Sequence, residues 1–252
     1  MVWGLLSINL AYGWGPQGHR VVGTIAESHL APETKKIIAE EFNINNLADI
    51  ANWADKVKRY RKQEKPWHYT NVKEGEWVYV MSRDCPKESC FIEKIKEFSA
   101  VLANVKLPLK RRKIALKYLV HFVGDVHQPL HLGNRKDRGG GKIRLTYLEK
   151  KVTLHYLWDG GLIDWKKENL LRYATHLNAR VQDIEKSKWF HSKVNDWADE
   201  SRSLAIKYAY PLENNELSKA YISKGREILD LRMVQAGIRL ADLLNQLLLT
   251  KN

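Results

Sequence analysis

The stretch His121-Phe-Val-Gly-Asp125-Val-His-Gln-Pro-Leu-His131 gathers residues able to hold a metal ion. On a helix, residues four apart share a face, so His121 and Asp125 point the same way. Pro129 cannot continue that helix and turns the chain, aiming His131 back toward them. His155 and Asp159 repeat the four-residue spacing. Imidazole nitrogen and carboxylate oxygen suit zinc, and two such pairs exceed the needs of one tetrahedral ion, so more than one metal is implied. Asp55, in Ala-Asn-Trp-Ala-Asp, and His68, in Pro-Trp-His-Tyr-Thr-Asn, are further candidates flanking a basic stretch. In Trp14-Gly-Pro-Gln-Gly-His19, a chain beginning at Trp14 would offer its amino group and carbonyl as chelators beside His19. Any single histidine is more ordinarily a core or surface residue. The repetition points to metal.

Helices must position these groups. Apolar residues recur at helical spacing in Val21, Val22, Ile25 and Ala26, and again from Ile228 to Leu247. The pattern predicts a helix over Arg112 to Val126, stopped by Pro129, and a short hairpin of Lys142 to Leu148 with Val152 to Leu154 around Glu149-Lys150. Pro211 to Glu216 reads as a loop, and no repeat or linker divides the chain. The expectation is an all-α, mainly helical fold with one short β-hairpin, in a single domain over residues 14–252.

Residues 1–13, MVWGLLSINLAYG, are apolar and end in the small-x-small pattern Ala11-Tyr12-Gly13. They read as the remnant of a signal peptide cut before Trp14, or alternatively as a first buried strand or helix. The only cysteines, Cys85 and Cys90, bracket a turn-forming Pro86 and Ser89, which predicts a local disulfide in an exported, secreted or periplasmic protein. Two cysteines cannot make a four-ligand zinc site.

Hydrophobic residues are 44% and charged residues 28% of the 252, enough apolar material for a core, which excludes a disordered chain. No apolar run approaches the length of about 20 residues that a membrane-spanning helix needs. A net charge of +13 favours anionic partners such as nucleic acid, although a merely soluble basic surface fits the charge equally well.

With these motifs in hand, the sequence resembles the trinuclear-zinc, single-strand-specific nucleases of the S1/P1 type, which share a helical fold with zinc-dependent phospholipase C. The motifs are WGPQGH at Trp14–His19, NWAD at Asn52–Asp55, HYTN at His68–Asn71, HFVGDVHQPLH at His121–His131 and LHYLWD at Leu154–Asp159, in the family's order. The resemblance implies three Zn²⁺ ions. One would be held by Asp55, His68, His121 and Asp125. A second would take the Trp14 amino and carbonyl groups with His19, Asp125 bridging, and a third His131, His155 and Asp159. Asp55 and Asp125 become the catalytic carboxylates. Close zinc ions would bring a water's pKa toward about 7 and neutralise charge on the phosphoryl oxygens, so that no protein nucleophile is required.

The same resemblance places Tyr69 where an aromatic stacks a base, worth about 1–3 kcal/mol. Lys58 falls near the phosphate, although a solvated helix surface explains it equally well. Asn71 stands where many members carry an aspartate that reads a base edge, which leaves base preference open. Gly139-Gly-Gly141 and Thr153 also depart from the usual pattern without touching a ligand. Two cysteines rather than four are similar to bacterial members. The implied activity is cleavage of single-stranded DNA and RNA to 5′-phosphorylated products, with removal of phosphate from 3′-nucleotides, by a monomer. Two alternatives stand beside it: a phospholipase C, disfavoured by Asp159 where that enzyme's pattern has Glu, and a non-enzymatic basic nucleic-acid-binding protein with structural metal only.

Overall fold

Pro16 and Pro32 each open a helix, where the missing N–H is one that the first turn leaves unpaired anyway. The computed structural model describes residues 14–165, 167–213 and 216–249; the leader assigned to residues 1–13 lies outside them. The chain begins with α1 (Pro16–His29), α2 (Pro32–Glu40), α3 (Leu47–Ile50) and α4 (Trp53–Val57), followed by a 3₁₀ segment, Lys62–His68. Next come α5 (Met81–Asp84), α6 (Phe91–Ala103), α7 (Leu109–His127) and a 3₁₀ turn at Pro129–Leu132. The hairpin β1 (Arg144–Tyr147) and β2 (Lys150–Thr153) leads into α8 (Leu154–Tyr156), which widens into a π turn at Leu157–Gly161. The remainder is α9 (Leu170–Arg180), α10 (Asp183–Ser187), α11 (Val194–Leu204) with a π turn at Ala205–Ala209, and α12 (Lys219–Leu249).

α7 is the axis of the molecule. From Tyr118 to His127 every residue is buried, so this part of the helix has no solvent face, and α6, α12, α11, α4, α1 and α3 pack around it. α1 lies along α12 where Gly237 has no side chain: a Cβ there would sit 2.6 Å from the Cβ of Ile25. That close approach brings the helix carrying His19 onto the same core.

The hairpin is present with its turn one residue earlier than the sequence predicts. Leu148 and Glu149 form it with φ of 47° and 62°, and Lys150 already pairs with Tyr147. Two left-handed residues match the twist of a two-residue hairpin turn, and two strand partners outweigh the usual preference for Gly or Asn there. The predicted helices are present and longer, and Cys85 and Cys90 are disulfide-bonded.

The end of α7 is locked from outside by charge. Glu200 of α11 accepts from Arg232 Nη1 at 2.6 Å and from Arg239 Nη1 and Nη2 at 2.6 and 2.7 Å, both arginines lying on α12. Arg239 Nη1 reaches His127 Nε2 at 3.0 Å, and Arg232 Nε donates to the His127 carbonyl at 3.1 Å. Burial alone would raise the Glu200 carboxyl, but the hydrogen bonds from Arg239 and the charge of Arg232 hold it at about 2. A depressed carboxyl stabilises the fold above its unfolded value of about 4.5, and that contribution fades as pH falls toward 2. Glu200→Gln is therefore expected to lower the urea midpoint at pH 7 and to flatten its fall between about pH 4.5 and 2; an acid limb identical to the native one would refute this account.

Candidate metal centre

The centre is built outward from α7. His121 and Asp125 are fully buried, with His121 Nε2 3.3 Å from Asp125 Oδ2. His121 Nδ1 donates to the carbonyl of Ala51 at 2.7 Å, which turns Nε2 toward the centre as the ring atom available to a metal ion. From α1, His19 brings Nε2 within 3.3 Å of Asp125 Oδ1 and stacks on His121 with ring centres 3.9 Å apart. This stacking needs Gly124, whose Cβ would lie 2.8 Å from His19 Nδ1. Trp14, just before α1, buries its ring and donates from Nε1 to the Gly124 carbonyl at 2.7 Å.

Asp55 enters from α4 and His68 from the end of the 3₁₀ segment. His68 Nδ1 lies 3.6 Å from Asp55 Oδ1, 3.3 Å from Asp125 Oδ2 and 3.1 Å from His121 Nε2, while His121 Nε2 is 3.5 Å from Asp55 Oδ1. The turn at Pro129 delivers His131 as the sequence predicts, with Nδ1 3.6 Å from Asp125 Oδ1 and Nε2 3.7 Å from Asp159 Oδ1. His155 Nε2 is 3.4 Å from Asp159 Oδ2, and its Nδ1 faces the Gly139 carbonyl at 2.7 Å, the same orientation device as at His121.

Three groups of three thus have all their ligand atoms within 4.8 Å: His19, His121 and Asp125; Asp55, His68 and His121; His131, His155 and Asp159. A tetrahedral ion with bonds of about 2.0–2.1 Å needs its ligand atoms about 3.3 Å apart. The 3.1–3.7 Å separations are of that size. Both oxygens of Asp125, Asp55 Oδ2, both ring nitrogens of His19, His68 Nε2 and His131 Nδ1 are buried without a hydrogen-bond partner. Such atoms are costly inside a protein unless something else satisfies them, and a cation between Asp125 and the His19 Nε2 that faces it would satisfy both.

The proton equilibria agree. Burial pushes the His19 and His155 rings down, His68 to about 4 and His131 to about 3, leaving neutral imidazole, the form that binds metal. Burial also pushes His121 down, but the carboxylates of Asp125 and Asp55 outweigh it and raise the ring to about 10. A field that favours a proton there favours a metal ion more. Burial would raise the carboxyls of Asp55 and Asp125, yet His121 holds both below the usual range, helped by Lys58 at Asp55 and His131 at Asp125. At Asp159 burial dominates and drives the carboxyl well above its usual range.

Of the substrate-side candidates, Lys58 is buried with Nζ 2.5 Å from Asp55 Oδ1. Tyr69 directly follows His68 and is 41% exposed, so its ring is available at the surface. Asn71 is half-buried, and its carbonyl accepts from Arg135 Nε at 3.3 Å. His127 turns away from the centre into the arginine network. His29, His176 and His191 bond to Asn178, Glu168 and Gln246 and belong to none of the three groups.

Two positioning residues escape the sequence reading. Gln128, fully buried, donates from Nε2 to Asp159 Oδ1 at 2.5 Å while its Oε1 accepts from Leu130 N. Its place just before Pro129, at a helix end, was the only signal. Arg202, 1% exposed, binds the carbonyls of Glu76, Leu132 and Lys73 and the Asn134 side chain, fastening the segment after Asn71 to the segment after His131. Nothing in the local pattern of α11 marks it.

Fold and site together define a mainly helical protein with three adjoining buried His/Asp groups able to hold metal. The family profile described as S1/P1 Nuclease matches residues 14–249. Endonuclease 3 of Arabidopsis thaliana is 30% identical, the match covering 97% of this chain and 92% of that protein, and Endonuclease 5 of the same plant is 30% identical over 98% and 95%. Nuclease S1 of Aspergillus oryzae is 29% identical over 92% and 91%. The chain belongs to the S1/P1 nuclease family, and is a nuclease, as its motifs led us to expect.

Gln128→Leu removes the donor that holds Asp159 while preserving bulk. The expected outcome is a hold on one metal equivalent weaker by about 10–100-fold, the others retained, read by elemental analysis after dialysis against graded chelator. Unchanged metal retention would show that Gln128 only caps the 3₁₀ turn.

Proposed function

We propose that the chain is an exported zinc-dependent endonuclease that hydrolyses phosphodiester bonds of single-stranded DNA and RNA to 5′-phosphorylated products and removes phosphate from 3′-nucleotides. The observation that carries this reading is the convergence of five imidazoles and three carboxylates at tetrahedral spacing in a chain of this family. Asp55, His68, His121 and Asp125 would hold one zinc, His19 with the Trp14 amino and carbonyl groups a second, Asp125 bridging, and His131, His155 and Asp159 a third. The family match beginning at Trp14 supports removal of the preceding residues. Among the described residues no helix is long and apolar enough to cross a membrane, and the enzyme proposed is a secreted or periplasmic monomer.

When bound, the ions make a water acidic enough to attack phosphorus and offset charge on the phosphoryl oxygens. The chain's own residues do the rest. Asp125 and Asp55 stay ionised and neighbour four and three of the other groups respectively, so they fix the relative positions of the histidines. Lys58 places a buried ammonium beside Asp55, where a phosphate would meet it. Tyr69 offers its exposed ring to a base. The Asn71 side chain has both donor and acceptor capacity, so a base edge of either polarity can pair with it.

Protein processed to Trp14 is expected to cut single-stranded DNA and RNA much faster than duplex, to lose that activity in chelator and to regain it with zinc. His121→Ala, which removes a group common to two clusters, is expected to lose activity by about 10³-fold, corresponding to several kcal/mol of metal-assisted stabilisation. Chelator-insensitive cleavage would reject the mechanism, and faster hydrolysis of phosphatidylcholine than of nucleic acid would reassign the chain to phospholipase chemistry.

A further inference from the structure

Between Asp55 and His68 the chain leaves the metal centre and comes back to it. The intervening arch, residues 56–67, carries Lys56, Lys58, Arg59, Arg61, Lys62 and Lys65 against one carboxylate, Glu64. Glu64 is turned inward: it is 5% exposed and accepts from Tyr118 Oη at 2.6 Å, with Arg61 Nη1 3.3 Å away. The outward face is therefore cationic, with Lys56, Arg59, Arg61, Lys62 and Lys65 all exposed and Tyr60, 88% exposed, standing among them.

The arch is held rather than loose. Tyr118 packs edge-on against Trp53, before the arch, and Trp67, at its end, with ring centres 5.2 and 5.7 Å apart. The Trp53 ring in turn gathers charge from two elements: Arg61 of the arch at 6.0 Å and Lys117 of α7 at 5.1 Å. Lys113 precedes Lys117 by one helical turn, and burial together with the Lys113 charge pushes the Lys117 ammonium down. Like charges on one face repel, a cost that a polyanion lying across them relieves.

The geometry points to a phosphate track: the arch, continued by Lys113 and Lys117, binds the sugar-phosphate backbone of a single strand beyond the bond being cut, so that long strands are captured in preference to mononucleotides. The inference rests on the nuclease reading for its substrate and adds where the rest of that substrate lies. Cations spaced along a surface with an exposed aromatic between them suit a strand whose phosphates and bases are both accessible. Both feet of the arch end in candidate ligands, so a strand seated on it leads directly to the centre.

The test compares a variant with Lys62→Ser, Lys65→Ser, Lys113→Ser and Lys117→Ser against a control that loses four exposed cations from outside the arch and α7, Lys35→Ser, Lys36→Ser, Arg180→Ser and Lys188→Ser. KM is measured for a strand of about 30 nucleotides and for a dinucleotide, across salt concentrations. The track variant is expected to raise the ratio of long-strand to dinucleotide KM by about tenfold or more at 0.1 M salt. Its log–log salt slope for strand binding should fall by about 2–3, at about 0.7 for each phosphate no longer neutralised. The control should change the ratio less than about twofold. Equal shifts in both variants, or an unchanged slope, would overturn the track. Should the fourfold variant fold poorly, Lys62→Ser with Lys65→Ser, both exposed in the native chain, is expected to give half the slope change. Strand binding with the expected slope in a protein that cuts nothing would uphold the track and reject the nuclease reading.

Discussion

Asp125 is the constraint on which the structure turns. Its carboxylate is fully buried, and within 3.6 Å of its two oxygens lie ring nitrogens of His19, His68, His121 and His131, drawn from four separate segments. A lone carboxylate in that position would be protonated or would unfold its surroundings. It stays ionised because cationic or metal-binding groups converge on it. That convergence is possible only because α7 has no solvent face at this level. The burial of α7 and the charge of Asp125 therefore depend on each other.

A centre of this kind does not stabilise the fold by itself, since desolvation offsets most of the attraction between buried charges. The surrounding shell must hold the geometry, and it does so with groups that cannot slide. The carbonyls of Ala51 and Gly139 orient two imidazoles, Gln128 orients Asp159, and the Glu200, Arg232 and Arg239 cluster fixes the last turn of α7. Arg202 then fastens the segment following Asn71 to that following His131 through carbonyl oxygens, with no carboxylate among its hydrogen-bond partners in the described residues. The substrate-side candidates are thereby tied to the same frame as the metal-side ones.

Much of this was legible in the sequence because it is encoded locally. The four-residue spacing of His121 with Asp125 and of His155 with Asp159 specifies a shared face, and Pro129 specifies where α7 stops, so the central features follow from short-range stereochemistry. The hairpin turn was displaced by one residue because Leu148 and Glu149 accept a left-handed backbone that their residue types disfavour, a choice made by strand pairing. Gln128 and Arg202 were not legible. Each acts through partners far along the chain, 31 residues to Asp159 in one case and 126 to Glu76 in the other, and no periodic pattern carries such a pairing. The arch from 56 to 67 was visible as a run of charge, but a run of charge does not say which way its one acid faces. The bond between Glu64 and Tyr118 turns that acid inward and leaves the exposed residues of the arch without a carboxylate.

The molecule therefore sorts its charges by depth. Carboxylates that attract metal are concentrated in the interior, where salt screens little, while most of the surplus positive charge lies at the surface, where screening acts over about 8–10 Å. Lys58 marks the boundary: nearly buried and paired with Asp55, it belongs to the interior, yet it sits within the cationic arch. On the proposed track, an anionic strand approaching from solvent would meet the exposed cations first and the buried Lys58 after them. Because the interior carboxylates repel phosphate unless metal is present, the surface charge can draw a strand toward the centre without committing it. Cations bound among those carboxylates would make the last approach favourable, so that a basic surface leads to a site whose action depends on metal.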